Sequence, residues 1–417
     1  MPILGIYNSQ LSGKWKNWIN LTSRSGSDVY PKQVSVDSSS NVYASFYDTS
    51  GNATAIQFNS AGKVNWQKVL TISGDTLTVN SSVIDSANNM YVIASQLSDY
   101  SYVLIKYNSS GTLQWQVKLK PVSFSTGGSI TVDSSDNVYI CGSYYTTRYI
   151  PLVAKYNSSG TLQWQTGLDL TNDGFALRII CDSSNNVYVS TYTYFSNYYL
   201  LKYNSSGTLQ TQYQTSQEYF YGFAVDSSGN IYAPSSDIGM GIAKFNSSGI
   251  LQWQSYIGKA TGATLGISNN VILDSSGNVY LVGAGDYAGA PNTNTIAMFN
   301  SSGVVQWKNN FFSTTRATNL QYITFDSNNN NLVLSGRYVN TNQQGITIVV
   351  PNDGSNPQTF KFNNDTFTYA TSSYVSLTGS TVPNFTATTF STTTPTNTAT
   401  TSTATNGTAI TSLTAIM

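Results

Sequence analysis

Histidine is missing from this chain, and Glu218 is its only glutamate. Imidazole acid/base chemistry, Ser-His-Asp triads and histidine-bearing zinc sites are thereby removed from the candidate activities. Charge of either sign is scarce: Asp, Glu, Lys and Arg make up 9% of the 417 residues, against about a quarter of a typical soluble domain. The 19 basic and 19 acidic side chains cancel, so no electrostatic field favours nucleic acid or anionic lipid, and neither partner is expected. No apolar run approaches the roughly 18 residues of a membrane span, so no membrane insertion is expected. The opening Met-Pro-Ile-Leu-Gly-Ile-Tyr has neither the basic segment nor the long apolar run of a signal peptide. Cysteine occurs twice, as Cys141 and Cys181. Their residue type and position leave two readings open, small buried apolar side chains or a disulfide between neighbouring repeats.

What the chain has in abundance is one phrase, repeated. Asp-Ser-x-x-Asn, or a close variant, begins at Asp37, Asp85, Asp133, Asp182, Asp226, Asp274 and Asp326, at spacings of 44 to 52 residues, and an Asn stands four residues after each Asp, from Asn41 to Asn330. A second half centres on Asn59, Asn108, Asn157, Asn204, Asn246 and Asn300. A Gly follows each by three residues, and then comes Trp66, Trp115, Trp164, Trp253 or Trp307, with Thr211 in the remaining copy. Degenerate copies stand at Tyr7 to Trp18, with Trp18 expected in the repeat's Trp position, and at Asn352 to Phe360.

A period near 48 suits a four-stranded propeller blade better than a helical or leucine-rich repeat. Alternation and turn chemistry place strand a at residues 130–132, b at 138–141, c at 152–156 and d at 162–165 of one unit. Short Asp/Asn/Ser/Gly clusters join a to b and c to d, as tight hairpins require. The expected fold is all-β: a seven-bladed β-propeller of four-stranded antiparallel blades over residues 1–363, followed by a Thr-rich extended C-terminal tail over 364–417. An N-terminal strand within residues 15–21 is expected to close the last blade beside residues 320–350, displacing the C-terminal candidate outward.

Phe245-Asn-Ser-Ser-Gly-Ile-Leu-Gln-Trp253 followed by Leu273-Asp-Ser-Ser-Gly-Asn-Val-Tyr-Leu-Val-Gly283 resembles the bacterial β-propeller repeats and the related NHL-type propellers, of a kind found in phage and virus structural proteins. The resemblance covers roughly residues 3 to 363. It implies a fold and leaves the function open, because such propellers host receptors, lectins, enzymes and scaffolds.

Antiparallel blades put the a–b and c–d turns on one face and the variable b–c and d–a connections on the other. On the uniform face each Asp and Asn is expected to cap its own turn. Calcium is the alternative ligand, but each turn offers one carboxylate to an ion that takes six or more oxygens, so no metal site is assigned. The repeated Trp is expected to wedge between adjacent blades, a sugar platform being its alternative. The Asn-Ser-Ser sequons read as turn sequence before glycan acceptors.

The variable connections gather tyrosine: Tyr144, Tyr145 and Tyr149 in one, Tyr192, Tyr194, Phe195, Tyr198 and Tyr199 in the next, then Tyr219, Phe220 and Tyr221. Tyrosine with Ser, Thr and Asn is the chemistry of paratopes and glycan-binding surfaces, combining flat apolar area, a hydroxyl tip and little side-chain entropy. Tyr144, Tyr145, Tyr149, Tyr192, Tyr194, Tyr198 and Tyr199 are therefore the candidate ligand-binding residues, with packing between blades as the rival role. No catalytic residue and no cofactor is assigned; Asp169, Asp173 and Arg178 form a weak acidic and basic group. After Asp365 the chain carries no charge and interleaves Thr with Phe367, Tyr369, Val375, Leu377, Phe385 and Phe390, a pattern suited to a β tail that anchors or oligomerises the protein, a disordered or O-glycosylated stalk being the alternative. These features point to a non-enzymatic structural or adhesive protein of a virion or extracellular surface. Its expected partners are other virion or surface proteins through 364–417, and a host-cell surface glycan or protein. A lectin is the alternative, and a propeller enzyme is less favoured.

Overall fold

The computed structural model describes residues 18–21, 28–70, 75–98, 101–119, 125–168, 172–194, 198–215, 222–235, 240–258, 267–287, 290–313, 317–339, 343–355, 357–362, 365–371 and 375–377. The fold is an all-β, seven-bladed propeller of four-stranded antiparallel blades, and no helix occurs among the described residues. Strands a to d are Val29–Val36, Val42–Asp48, Ala53–Phe58 and Val64–Leu70 in blade one, and Leu77–Ile84, Met90–Gln96, Ser101–Tyr107 and Leu113–Leu119 in blade two. Blade three has Ser125–Val132, Val138–Tyr145, Tyr149–Tyr156 and Leu162–Gly167; blade four has Gly174–Cys181, Val187–Thr193, Tyr198–Tyr203 and Leu209–Thr215. Blade five has Ala224–Val225, Ile231–Ser235, Met240–Phe245 and Leu251–Gly258; blade six has Ile267–Leu273, Val279–Tyr287, Ala290–Phe299 and Val305–Ser313. Blade seven takes Thr318–Asp326, Asn331–Val339 and Gln343–Pro351 from sequential chain, and its fourth strand is Trp18–Leu21.

Two compact units are distinguished by internal contacts. One comprises Met1–Ser50, Phe58–Val64 and Gly222–Pro383, the other Gly51–Gln57, Asn65–Tyr221 and Asn384–Met417. Within the second unit the apolar core lies between consecutive blades: Tyr91, Ile93 and Leu104 meet Ile130, Ile140 and Tyr156, while Val153 and Cys141 meet Ile179, Val189 and Leu201. The first unit repeats this, with Ile242 and Ile257 against Val271 and Leu281, then Ile296 and Phe311 against Leu320, Leu334 and Ile348. Alternation explains the arrangement, because each strand presents side chains to both faces and each face packs on a neighbouring sheet. Cys141 and Cys181 are free thiols in or against one such core. Burial pushes the Cys141 thiol up to about 12, which leaves it unreactive.

Trp18–Leu21 pairs antiparallel with the third strand of blade seven, Trp18 opposite Ile348. Trp115, Trp164 and Trp253 instead stand opposite Lys106, Lys155 and Lys244. The counterpart of those lysines in blade seven is Val349, since Val333 pairs with Val349 as Tyr139 pairs with Lys155. Trp18 is thus one residue away from the repeat's Trp position, to which the sequence had assigned it. The blade-seven turn also differs from its reading. The left-handed residue is third after Asp in the other blades, as at Asp136 with φ 59°, but fourth in blade seven, at Asn330 with φ 51°. One extra residue has entered the turn, and Asn331 takes the place that the spacing gives to Asn330.

The C-terminal chain adds strands to two blades of the first unit. Asp365–Thr371 pairs with Val305–Ser313 of blade six, Gln358–Phe362 pairs with Asp365–Thr371, and Val375–Leu377 pairs with Leu251–Gly258 of blade five. Blade six becomes a six-stranded sheet and blade five a five-stranded one, so both outer edges carry a paired strand. Phe367 and Tyr369 are fully buried, Phe367 stacking on Phe311 at 5.8 Å and meeting Tyr338 edge-on at 5.5 Å. The 363/364 boundary read from sequence falls between two paired strands, and residues 378–417 lie outside the described ones.

Candidate functional site

One end of each blade is consumed by its own turns. In blade three Asp133 Oδ1 accepts the backbone N–H of Ser135 at 2.9 Å and of Asn137 at 2.9 Å, while Oδ2 accepts the Asn137 amide at 2.9 Å and the Tyr139 hydroxyl at 3.0 Å. Lys155 Nζ lies 3.7 Å from the same Oδ2 and 4.9 Å from the centre of the Tyr139 ring. Its other contact is with the next blade, where it donates to the Ser205 carbonyl. Burial pushes the Asp133 carboxyl up, but the bonds from Asn137, Ser135 and Tyr139 outweigh it and hold the group below the usual aspartate range. Asp226 follows the same pattern with Asn230, Ser228 and Tyr232. The tyrosines remain protonated donors; burial and the Asp274 carboxylate push the Tyr280 phenol up to about 12.

The repeated Trp completes this scaffold. Trp115 and Trp164 donate their indole N–H to Ser158 and Ser205 of the following blade, at 3.0 and 3.1 Å. The Trp164 ring lies against Gly207, where a Cβ would come within 2.7 Å of Cδ2 and where φ is +84°. Glycine is required there for contact and conformation alike. These carboxylates therefore already have donors, and among the described residues no group of three or more His, Cys, Asp or Glu could hold a metal ion.

The opposite ends of blades three and four carry no repeated phrase, and there five of the seven candidate tyrosines come together. Tyr145 and Tyr149, paired across one hairpin, meet at 5.1 Å. Tyr149 reaches across to Phe175 of blade four at 4.8 Å. Phe175 stacks on its cross-strand partner Tyr192 at 5.1 Å and meets Tyr194 edge-on at 5.1 Å; Tyr192 in turn stacks on its own partner Tyr198 at 6.1 Å. Each such pair contributes about 0.5–1.5 kcal/mol beyond its buried area, so the rings preorganise one another. Tyr194 is 64% exposed at the rim. Asp173 ties the two blades, its Oδ1 accepting the Tyr149 N–H at 2.7 Å and its carbonyl the Tyr194 N–H at 3.4 Å.

The other two candidates turn away from this patch. Tyr144 is 8% exposed and packs in the core between blades two and three, its hydroxyl against Gly167. Tyr199 packs against the core between blades three and four, and burial raises its phenol. Successive strand residues point to opposite faces, so Tyr144 and Tyr145, like Tyr198 and Tyr199, part company. Asp173 immediately precedes the strand Gly174–Cys181 and Arg178 stands in its middle, while Asp169, Phe195 and residues 219–221 lie outside the described residues. Phe175 is the member that the sequence reading missed. A bulge between Ala176 and Arg178 re-aims the strand, putting Ala176 in the core with Ile179 and Phe175 in the patch.

Comparison with known proteins places the fold in a family. Residues 104–364 match the PQQ_2 family, whose description is outer membrane protein assembly factor BamB. The chain belongs to this family. Among solved structures it is similar to a protein of unknown function from Bacteroides caccae, with 12% identity over 67% of this chain and 92% of that one and a TM-score of 0.41. It is also similar to the Dos1 propeller, with 10% identity over 83% of this chain and 82% of that one and a TM-score of 0.48. No curated protein matches.

Proposed function

We propose that this propeller is a non-enzymatic structural or adhesive component of a virion or extracellular surface, and that it binds a macromolecular partner in attachment or assembly through the aromatic patch of blades three and four. The observation that carries the reading is the continuous run of six rings across two blades, ending in the exposed Tyr194. Rigid aromatic area with hydroxyl tips supplies binding energy at small ordering cost. The family's description as an assembly factor favours a macromolecular partner over a turnover substrate. A lectin is the second reading, since the same faces stack on sugar rings.

The test is co-sedimentation of the full chain with intact particles or cells of its source, comparing wild type with the Tyr194→Ala/Tyr198→Ala variant. Binding is expected to fall at least about tenfold, the size of a central interface residue, with the fold intact by circular dichroism. Unchanged binding sinks the assignment. Competition by free oligosaccharides would move the reading to a lectin.

A further inference from the structure

The last blade lacks two parts of the repeated charge arrangement and has a cavity where they would be. In blades two and three the Lys106 and Lys155 ammonium groups lie 3.5 and 3.7 Å from Asp85 and Asp133, over the rings of Tyr91 and Tyr139, and donate to the carbonyls of Ser158 and Ser205 in the next blade's c–d turn. In blade seven the Tyr position is Val333 and the Lys position Val349, paired in the same register. Asp326 keeps its place and is only 5% exposed. It accepts the Ser40 hydroxyl at 2.8 Å and the Asn329 amide at 2.9 Å, two neutral donors. A cavity of about 20 Å³ lies between Asp326, Asn331, Val333, Val349, Ser40 and Ser60. Ser60 is the counterpart of Ser158 and Ser205, second in its own c–d turn. No Lys or Arg among the described residues lines this cavity.

We propose that the cavity binds a monovalent cation of ammonium size, potassium or ammonium itself, in place of the missing lysine head. The volume admits one water-sized occupant. The lining offers one carboxylate together with hydroxyl, amide and carbonyl oxygens, matching a single positive charge. Calcium fits poorly, for it takes six to eight oxygens and needs more carboxylate. A buried carboxylate whose donors among the described residues are neutral gains most from a cation that sheds its water into such a site.

The experiment follows the thermal unfolding midpoint of the full chain in potassium, ammonium and tetramethylammonium chloride at equal ionic strength. Potassium and ammonium are expected to raise the midpoint saturably by a few degrees over tetramethylammonium, as a ligand of the native state does. Asp326→Asn should abolish the difference. The Val333→Tyr/Val349→Lys variant, which restores the missing pair, should abolish it too while melting no lower than wild type in tetramethylammonium. Crystals of the wild-type chain soaked in rubidium chloride should show an anomalous peak between Asp326 and Ser60, a reading that does not depend on how the variants fold. Equal midpoints in all three salts, the same salt response in Asp326→Asn, or no rubidium peak in the cavity would each overturn the proposal.

Discussion

The two ends of blades three and four obey different rules. At one end Asp133 and Asp182 organise turns that recur almost atom for atom, each carboxylate accepting two backbone N–H groups, an amide and a phenol. At the other end Tyr145, Tyr149, Phe175, Tyr192, Tyr194 and Tyr198 touch one another in a run that crosses two blades, of which the Phe175–Tyr192 stack has a counterpart in Tyr30 on Tyr47 of blade one. The contrast teaches where stability and recognition reside. A side chain repeated in every blade is answering a demand of the blade, whereas one that varies from blade to blade is free to answer a partner. Substitutions at the two ends should separate stability from binding.

The largest stability loss is expected from Asp133→Ala. It strips acceptors from the Asn137 and Tyr139 side chains and leaves Lys155 beside no carboxylate, a buried loss of about 3 kcal/mol. Urea unfolding reads the loss, while particle binding by the folded fraction should be unchanged. Gly207→Ala comes next, at about 1–3 kcal/mol, because the new Cβ meets the Trp164 ring and the backbone stays left-handed. A glycine in ordinary backbone and open space would lose nothing comparable, so the size of this effect measures the latch between blades.

The turn end should also be the acid-sensitive one. Asp133 and Asp226 sit below the ordinary aspartate value in the folded chain, so each adds stability that is fully present above that value, about 3.9. That stability is lost as pH falls through the folded values. Unfolding midpoints measured from pH 6 downward should therefore drop below about pH 4, and the drop should be smaller in Asp133→Asn, which has already lost one of these ionising groups. A wild-type profile flat into this range would contradict the role given to these carboxylates.

Much of the repeated end was legible in the sequence, because a residue that recurs every 44 to 52 positions announces its own importance. Periodicity could not show the register of Trp18, since a single extra or missing residue moves a strand without changing its composition. Nor could it show that Asn331, not Asn330, completes the last turn. The aromatic end was legible only as composition. Which tyrosines face outward depends on strand alternation, which separates Tyr144 from Tyr145. The place of Phe175 depends on a bulge, which spacing does not reveal. Phe367 and Tyr369 read as a tail because nothing in an uncharged, Thr-rich stretch names the strand it will pair with; the partner, Val305–Ser313, is distant in sequence.

The smallest stability effect is expected at Tyr194, and it is the sharpest form of the comparison. Its ring is 64% exposed and touches Phe175 by its edge, so Tyr194→Ala removes one aromatic contact and little buried area. A change within about 0.5 kcal/mol is expected in urea unfolding, the range of an exposed substitution. Tyr192→Ala is the control, because that ring stacks on both Phe175 and Tyr198 and its loss should disturb the patch and cost more, about 1–2 kcal/mol. If Tyr194 serves recognition, the Ala variant keeps its stability and loses binding, whereas Tyr194→Phe, retaining the flat face without the hydroxyl, recovers most of it. A Tyr194→Ala variant that loses stability as heavily as Tyr192→Ala, with binding untouched, would make the whole aromatic end a packing device, and the two ends of the blade would then differ in sequence but not in purpose.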